Sequence, residues 1–171
     1  MGAVTRAYVG LGANVGDRLA ALRGAAERLD ARAETEVVAA SAVYQTEALV
    51  LDGADPQPDH LNAVLALETA LSPRALLRVL RGIERAAGRD HDRERWAPRP
   101  LDLDLLIYGT RRVALRDLQV PHPALAERAF VLRPLADVAA DVAVPGTART
   151  VRELLDACAD AGRVDATAWH L

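Results

Sequence analysis

Residues 89–104 read RDHDRERWAPRPLDLD, and the rest of the chain is organised around this stretch. Its first part is a polar run rich in charge, interrupted by Pro98 and Pro100. From Leu101, leucine alternates with aspartate and the pattern continues as LDLDLLIY up to Gly109, which is typical of a buried β-strand that ends at a glycine. The stretch therefore predicts a charged loop that leads into the last strand of a sheet.

Upstream of this stretch, hydrophobic periodicity and turn residues predict three more strands and two helices. We predict strands over residues 6–12, 35–46 and 60–70, and helices from 17 to about 33 and over 72–88. The order β-α-β-β-α-β matches the split βαβ plan, which is an α+β architecture. We therefore expect a mainly antiparallel four-stranded sheet with both helices on one face, and a partly open second face that can hold a site.

Downstream of the fourth strand, the pattern weakens into short elements. We predict an edge strand at 113–115, a rigid turn at 120–123, one or two short helices over 124–138 and a last helix over 151–161. The second strand is expected to bend near residues 39–41. With no repeat and no boundary between domains, residues 1–171 are expected to form a single domain with a loosely ordered tail from about residue 160.

Composition excludes several classes of function. With 171 residues, 51% hydrophobic and 26% charged, the chain is expected to form one globular domain, and its net charge of −3 argues against a broad nucleic-acid-binding surface. All 21 basic residues are arginine, so anions must be bound without lysine. The single Cys158 excludes an internal disulfide and a cysteine metal cage. No apolar stretch has membrane-spanning length, and we expect a cytoplasmic protein.

Two aspartates on the last predicted strand are the first candidates for chemistry. Asp102 and Asp104 are two residues apart, so their side chains point to the same face of a strand, while Leu101 and Leu103 point to the core. A divalent cation such as Mg²⁺ relieves the repulsion between two carboxylates and also binds substrate phosphates. The alternative is a polar outer face of the strand, with each aspartate paired to a nearby arginine.

Arginines are concentrated just before these aspartates. Four lie at helical spacing and suit a solvated stripe, and four more follow in the loop: Arg74, Arg78, Arg81, Arg85, then Arg89, Arg93, Arg95 and Arg99. Cations on a loop beside a metal suit the closure of a site over a polyphosphate. Trp96 either covers a bound ring or anchors the loop. The glycine turn at 12–17 fits no common nucleotide fingerprint and is interpreted as a strand-to-helix turn.

Three further side chains suit small-molecule recognition, although each has a structural alternative. His122 lies between two prolines and suits a phosphate contact, but a lone histidine is equally consistent with a surface role. The amide of Asn62 suits the donor and acceptor edge of a heterocycle. Phe130, the single phenylalanine, either stacks on a flat ring or fills the core.

The chain resembles the 6-hydroxymethyl-7,8-dihydropterin pyrophosphokinases over residues 5 to about 160. The most specific matching segment is RWAPRPLDLD at 95–104. Other matching segments are 10–14 (GLGAN), 41–46 (SAVYQT), 61–63 (LNA), 83–84 with 88–89 (IE and GR), 120–122 (VPH) and 128–130 (RAF). The resemblance implies a ferredoxin-like fold, which agrees with the predicted order of elements.

The resemblance also implies a role for individual residues. Asp102 and Asp104 would hold two Mg²⁺ ions, and Arg89 and Arg99 would be the catalytic residues that stabilise the transferring group. The implied ATP contacts are Glu84, Arg89, Trp96, Arg99, Leu105, His122 and Arg128. The implied pterin contacts are Thr46, Leu49, His60, Asn62, Trp96, Asp102 and Phe130, with Phe130 stacking on the ring.

The implied activity is transfer of pyrophosphate from ATP to the pterin alcohol, with release of AMP. A monomer acting on small molecules, without nucleic acid or membrane partners, is expected. The chain departs from the family pattern where His60 replaces a tyrosine, His91 replaces an arginine, and Asp117 stands at another arginine position. Two alternatives remain: a non-catalytic module that binds nucleotide and pterin, and a metal-dependent phosphodiesterase or nucleotidyltransferase.

Overall fold

A computed structural model describes residues 3–47, 58–88, 99–160 and 162–171. Seven of the residues discussed above lie outside these ranges, so the predictions for them have no structural outcome. They are Leu49, Arg89, His91, Arg93, Arg95, Trp96 and Pro98. The other predicted site residues are all described.

The centre of the molecule is an antiparallel sheet. Its main strands are β1 (Thr5–Ala13), β2 (Thr35–Ala40), β3 (Tyr44–Thr46), β4 (His60–Thr69) and β5 (Asp102–Tyr108). β1 lies between β5 and β4, and both β2 and β3 pair with the other side of β4. The strand predicted over 35–46 is thus two strands, and the predicted bend lies where Ser41 interrupts it. There the backbone N–H and side chain of Ser41 bond to the backbone of Val64 at 2.9 and 2.8 Å.

Two amphipathic helices cover the first face of the sheet. They are α1 (Arg18–Asp30), capped by the side chain of Asp17, and α2 (Pro73–Ala86), capped by the side chain of Ser72. The helix α1 ends before the predicted residue 33. Apolar side chains of both helices pack against one side of the central strands, and fully buried members of this first core include Leu22, Leu29, Leu65, Leu76 and Leu80.

Two further helices cover part of the second face. They are α3 (Ala129–Ala139), which follows a 3₁₀ turn at Leu125–Glu127, and α4 (Val151–Asp156). The last helix is shorter than the predicted 151–161. A second core lies beneath them, with Leu106, Leu132, Leu135, Val64 and Ala66 among its buried residues. The helices predicted on one face are therefore α1 and α2, whereas the C-terminal helices pack on the opposite face.

The remaining strands are short. The predicted edge strand is β6 (Val113–Leu115), which forms a separate hairpin with β7 (Leu118–Val120), and β8 (Ala143–Val144) pairs with β9 (Arg149–Thr150). The last strand, β10 (Val164–Ala166), pairs antiparallel with β3.

The segment around β10 thus forms a strand within the tail from about residue 160, whose expected loose order stays a prediction. The edge of β3 exposes unpaired backbone groups, which are satisfied when another segment adds to it. Backbone bonds of Val43 with Thr167 and Trp169, at 2.9 and 3.3 Å, extend this pairing. None of the helices in the described part of the chain has the length and hydropathy to span a membrane.

Candidate active site

A cavity of about 390 Å³ opens on the second face of the sheet, next to the part that α3 covers. Its floor is formed by residues of β1, β4 and β5, and its wall by the segment from His122 to α3. It brings together predicted site residues from distant parts of the sequence: Thr46, His60, Asn62, Arg99, Asp102, Asp104, His122, Arg128 and Phe130. Their common location supports the predicted site, whereas their individual roles stay predictions.

The two aspartates of β5 face this cavity, as the strand period predicted. Asp104 lies opposite Gly10 and Asp102 opposite Gly12 in the pairing of β1 with β5, and both aspartates line the cavity. The alternating Leu103 belongs to the first core on the other face. Arg99 donates from Nη1 to Oδ2 of Asp102 at 3.0 Å. Asp102 therefore combines the two alternatives, because it faces the cavity and is paired with an arginine.

A buried asparagine fixes the backbone of Arg99. Asn14 is 1% exposed, and its side-chain Oδ1 accepts from the backbone N–H of Arg99 at 2.8 Å. The backbone N–H of Asn14 donates to the carbonyl of Arg99 at 3.2 Å. These bonds hold Arg99 where its guanidinium reaches Asp102. The sequence interpretation of residues 12–17 as a tight turn missed this role, because the partner is 85 residues away.

Glycine makes room for the amide on the cavity floor. A Cβ on Gly12 would come within 3.1 Å of Oδ1 of Asn62, its neighbour across the β1–β4 pair. Nδ2 of Asn62 donates to the hydroxyl of Thr46 at 2.7 Å, and both side chains are buried. The amide therefore has a fixed orientation, with its acceptor oxygen above Gly12. The sequence interpretation missed the requirement for glycine here.

The wall of the cavity carries a histidine, an arginine and an aromatic ring. The backbone N–H of His122 donates to the carbonyl of Leu106 in β5 at 2.9 Å, and His122 Nδ1 accepts from Ala124 at 3.3 Å. Burial lowers the pKa of His122; the charge of Arg128 lowers it further, and Asp102 opposes the shift. The guanidinium carbon of Arg128 lies 5.7 Å from the ring centroid of Phe130, which is a cation–π distance.

The departure at His60 places a histidine in the same cavity. Burial also lowers the pKa of His60, against the raising effect of the nearby Asp102 charge. Near pH 7 the ring is therefore favoured in its neutral form, and its flat face can stack on a heterocycle. This residue stands where the family pattern has a larger aromatic ring.

Two predicted ATP contacts have side chains outside the cavity. Glu84 is 2% exposed, and its Oε1 accepts from the backbone N–H of Leu103 at 2.8 Å, which ties α2 to β5. Leu105 is 3% exposed and belongs to the first core. Both side chains lie on the face covered by α1 and α2, so a contact of Leu105 with a ligand in the cavity would have to come from its backbone.

The departure at Asp117 has a local explanation. Its carboxylate forms ion pairs with Arg74 and Arg81 of α2 at 3.4 and 3.5 Å, and its backbone carbonyl accepts from Arg81 at 3.3 Å. Two members of the predicted solvated arginine stripe are thus paired. Because these side chains are substantially exposed, the pairs contribute little to stability.

Across the described ranges, His, Cys, Asp and Glu form no cluster of three or more that could hold a metal by itself. Mg²⁺ is commonly bound by one or two carboxylates plus water and substrate phosphates. Asp102 and Asp104 provide that donor set, with Asp104 exposed to the cavity.

Residues 8–140 match the family model of 7,8-dihydro-6-hydroxymethylpterin-pyrophosphokinase (HPPK). The chain belongs to this family. It is 47% identical over 152 residues to the 2-amino-4-hydroxy-6-hydroxymethyldihydropteridine pyrophosphokinase of Methylorubrum extorquens, covering 89% of this chain and 92% of that protein. It is 42% identical over 155 residues to the protein of the same name from Pseudomonas aeruginosa, covering 91% and 93%. As a family member, the chain is an enzyme of folate biosynthesis that transfers pyrophosphate.

Solved structures with the same fold come from Plasmodium falciparum. The wild-type HPPK-DHPS structure with pteroate aligns with a TM-score of 0.70 at 13% identity, covering 92% of this chain and 45% of that one. The wild-type structure with SDX-DHP gives a TM-score of 0.69 at 13% identity. The chain spans less than half of these solved chains, so the likeness shows the fold alone. It confirms the predicted ferredoxin-like architecture.

Proposed function

We propose that this enzyme transfers pyrophosphate from ATP to the hydroxymethyl oxygen of 6-hydroxymethyl-7,8-dihydropterin, with Mg²⁺, and releases AMP. That oxygen forms a bond to the β-phosphorus and loses its proton to solvent, while the bond from the β-phosphorus to the α,β-bridging oxygen breaks and the bridging oxygen leaves with AMP. Membership in the family supports the donor, the acceptor and the reaction. The expectation of a cytoplasmic monomer without nucleic acid or membrane partners stays a prediction.

The observation that carries the proposal is that one cavity is lined by charged side chains of β5 and by an amide of β4, with β1 between the two strands. Asp102 and Asp104 lie on its floor, Asp102 is paired with Arg99, and Arg128 lines the same cavity, which suits a polyphosphate and its metal. The amide is that of Asn62, bonded to Thr46, which suits the polar edge of a pterin. A cavity with both kinds of group can hold donor and acceptor next to each other.

The residues present fit the proposed cofactor. Asp102 and Asp104 would hold two Mg²⁺ ions together with phosphate oxygens, and the bound metal would neutralise charge on the transferring group. The ion pair of Asp102 with Arg99, at 3.0 Å, leaves further lone pairs on the carboxylate, since each carboxylate has about four lone-pair sites.

Catalysis then consists mainly of positioning and charge compensation, as in other phosphoryl transfers. Arg99 is the described arginine best placed to act on the transferring group, because Asn14 fixes its backbone and Asp102 orients its guanidinium. A cation held in advance at the place where negative charge develops stabilises the transition state more than the ground state.

His122 is suited to donate a hydrogen bond to a phosphate oxygen. Its lowered pKa favours the neutral ring near pH 7, and Nδ1 accepts from the backbone N–H of Ala124. The neutral ring therefore carries its proton on Nε2, which is the donor available to the nucleotide. Arg128 on the same wall supplies positive charge beside it.

The pterin is proposed to lie between the floor and Phe130. The fixed amide of Asn62 offers an acceptor oxygen to the donor groups of the ring, while Phe130 and His60 provide flat surfaces. Because a buried amide left without its partner is costly, such a site discriminates against rings that lack the matching groups.

Incubation of the purified protein with ATP, Mg²⁺ and 6-hydroxymethyl-7,8-dihydropterin tests the proposal. We expect AMP and the pterin diphosphate in equal amounts, and no AMP when the pterin is omitted. Release of ADP would contradict pyrophosphate transfer. Binding of both substrates without turnover would favour the non-catalytic module, and hydrolysis independent of the pterin would favour a phosphodiesterase.

A further inference from the structure

The C-terminal segment, residues 162–171, contains β10, which pairs with β3 at the edge of the sheet. The strand β3 also contributes Thr46 to the cavity, next to the Asn62 amide. In the pairing of β10 with β3, Val164 is opposite Thr46 and Asp165 is opposite Gln45. Thr46 lines the cavity and accepts the hydrogen bond of Asn62. The match to the family model ends at residue 140, so β10 lies outside the matched region.

Asp59 joins this C-terminal segment to the rest of the site. Its Oδ2 accepts from Nε2 of Gln45 at 2.8 Å and pairs with the guanidinium of Arg163, just before β10. Its backbone carbonyl accepts from the guanidinium of Arg18 at the start of α1. Arg163 also lies 3.5 Å from a carboxylate oxygen of Asp165. The Asp59 cluster, consisting of Asp59, Gln45, Arg18 and Arg163, therefore ties together α1, β3, β10 and the residue that precedes β4.

The position of this cluster matters more than its contribution to stability. The side chains of Asp59 and Arg163 are 25% and 50% exposed, so their ion pair adds little to the free energy of unfolding. Donation from Gln45 and the charge of Arg163 lower the pKa of Asp59, which keeps the carboxylate ionised near pH 7. Asp59 is followed directly by His60, and Asn62 comes three residues after Asp59. A displacement of Asp59 would therefore also displace His60 and Asn62, which line the cavity.

We propose that Asp59 and Arg163 are positioning residues for the pterin: their ion pair fastens the C-terminal segment to the start of β4 and holds His60 and Asn62 in register with Thr46. This inference rests on the proposed function, since it assigns these cavity residues to the pterin. His122 and Arg128, which are proposed to bind the nucleotide, follow β5, at the opposite edge of the sheet from β3 and β10. Among the described residues, no hydrogen bond or ion pair joins them to the Asp59 cluster. Loss of the pair is therefore expected to weaken pterin binding selectively.

Arg163→Ala is the main test, with steady-state AMP release measured against each substrate in turn. We expect the KM for 6-hydroxymethyl-7,8-dihydropterin to rise about five- to tenfold, while the KM for ATP and kcat stay within about twofold. Arg163→Lys keeps the positive charge and should recover part of this loss. The matched control is Arg152→Ala, because Arg152 forms an exposed ion pair with Asp141 at 3.7 Å on α4, away from the cavity. The control should leave both KM values unchanged.

A double-mutant cycle separates the ion pair from other effects of each side chain. We expect weaker pterin binding in Asp59→Asn, in Arg163→Gln and in the double variant. The double variant should bind the pterin as tightly as whichever single variant binds it less tightly. Additive losses, or an unchanged pterin KM in Arg163→Ala, would overturn the inference. A parallel rise in both KM values with a lowered melting temperature would also overturn it, because it would indicate a general structural role.

Equilibrium binding of the same pterin, followed by its fluorescence, keeps this inference separate from the proposed reaction. If the wild-type protein binds the pterin but releases no AMP, the proposed reaction fails, and the Kd values of the variants still test the positioning role. If Arg163→Ala then binds the pterin as tightly as the wild-type protein, the positioning role fails as well. Absence of pterin binding by the wild-type protein would refute both.

Discussion

The two faces of the central sheet are covered differently. On the first face, α1 and α2 close over an apolar layer in which Leu65 and Leu67 of β4 are fully buried. On the second face, α3 and α4 cover one part, and the remainder is a cavity lined by Asn62, Asp102 and Asp104. The first face thus carries the larger apolar core, and the open part of the second face carries the polar groups.

The same strand contributes to both faces. Along β5, Leu103 packs in the first core, while the adjacent Asp104 is exposed to the cavity. Because successive side chains of a strand point to opposite faces, stability and chemistry can be encoded by alternate residues of one segment. Glu84 is a polar exception on the first face, where it is satisfied by the backbone N–H of Leu103. Substitutions on β5 should therefore separate activity from stability.

Asp104→Ala is expected to have the largest effect. Removal of this carboxylate should lower kcat by about a thousandfold or more, because charge stabilisation at the transferring group is lost. The melting temperature should stay close to that of the wild-type protein, since Asp104 is exposed on the open part of the sheet. AMP release and thermal unfolding measure the two outcomes. Unfolding of both Asp104→Ala and Asp102→Ala would mean that the pair is structural.

Leu103→Ala is the matched change on the opposite face. Leu103 is 4% exposed in the first core, and its truncation should lower the free energy of unfolding by about 2–4 kcal/mol. Activity per folded molecule should fall far less than in Asp104→Ala. Urea unfolding with an activity assay under stabilising conditions checks this. An intact stability with lost turnover would contradict the separation of the two faces.

Arg99→Ala should lower turnover more than it lowers ATP affinity, because the guanidinium acts on the transferring group. We expect a fall of about 30- to 100-fold in kcat with a smaller change in the Kd for ATP. The control is Arg78→Ala, an exposed arginine on α2 at the opposite face. A variant that loses ATP binding but keeps its turnover at saturation would show that Arg99 serves binding alone.

Tyr44→Phe should have a small, pH-dependent effect. The hydroxyl of Tyr44 donates to Asp137 at 2.9 Å. Burial, which is the larger cause, and this hydrogen bond together raise the pKa of Tyr44 from 10.0 to about 12. A raised pKa in the folded state gives stability that is complete below pH 10 and is lost as the pH rises towards 12. The phenylalanine variant should be about 1 kcal/mol less stable at neutral pH and should lack the wild-type loss over this window. Denaturant unfolding at several pH values measures the free energy of unfolding of both proteins. If this free energy fell equally with pH in the wild-type protein and in Tyr44→Phe, the stability loss at alkaline pH would not come from Tyr44.

Much of the fold could be predicted because its signals are local. Helix starts at Asp17 and Ser72 follow from capping chemistry, and the alternation in β4 and β5 follows from the strand period. The strand β10 could not be predicted, because Val164–Ala166 has only three residues and pairs with an edge supplied by β3. Its existence depends on tertiary structure rather than on local propensity.

The candidate site could be predicted where a residue type carries its own chemistry, as for Asp102 and Asp104. It could not be predicted where the role depends on a distant partner. Asn14 has the sequence context of a turn residue, yet it fixes the backbone of Arg99, and Gly12 makes room for Asn62 on a neighbouring strand. These contacts arise only once the sheet has formed.

A crystal structure with Mg²⁺ and a non-hydrolysable ATP analogue tests the central claim most directly, namely that the open part of the second face is where pyrophosphate is transferred. We predict metal ions bound to Asp102 and Asp104, with the phosphates between these carboxylates, Arg99 and His122. A nucleotide bound on the face covered by α1 and α2, or in the cavity without metal at either aspartate, would contradict the claim.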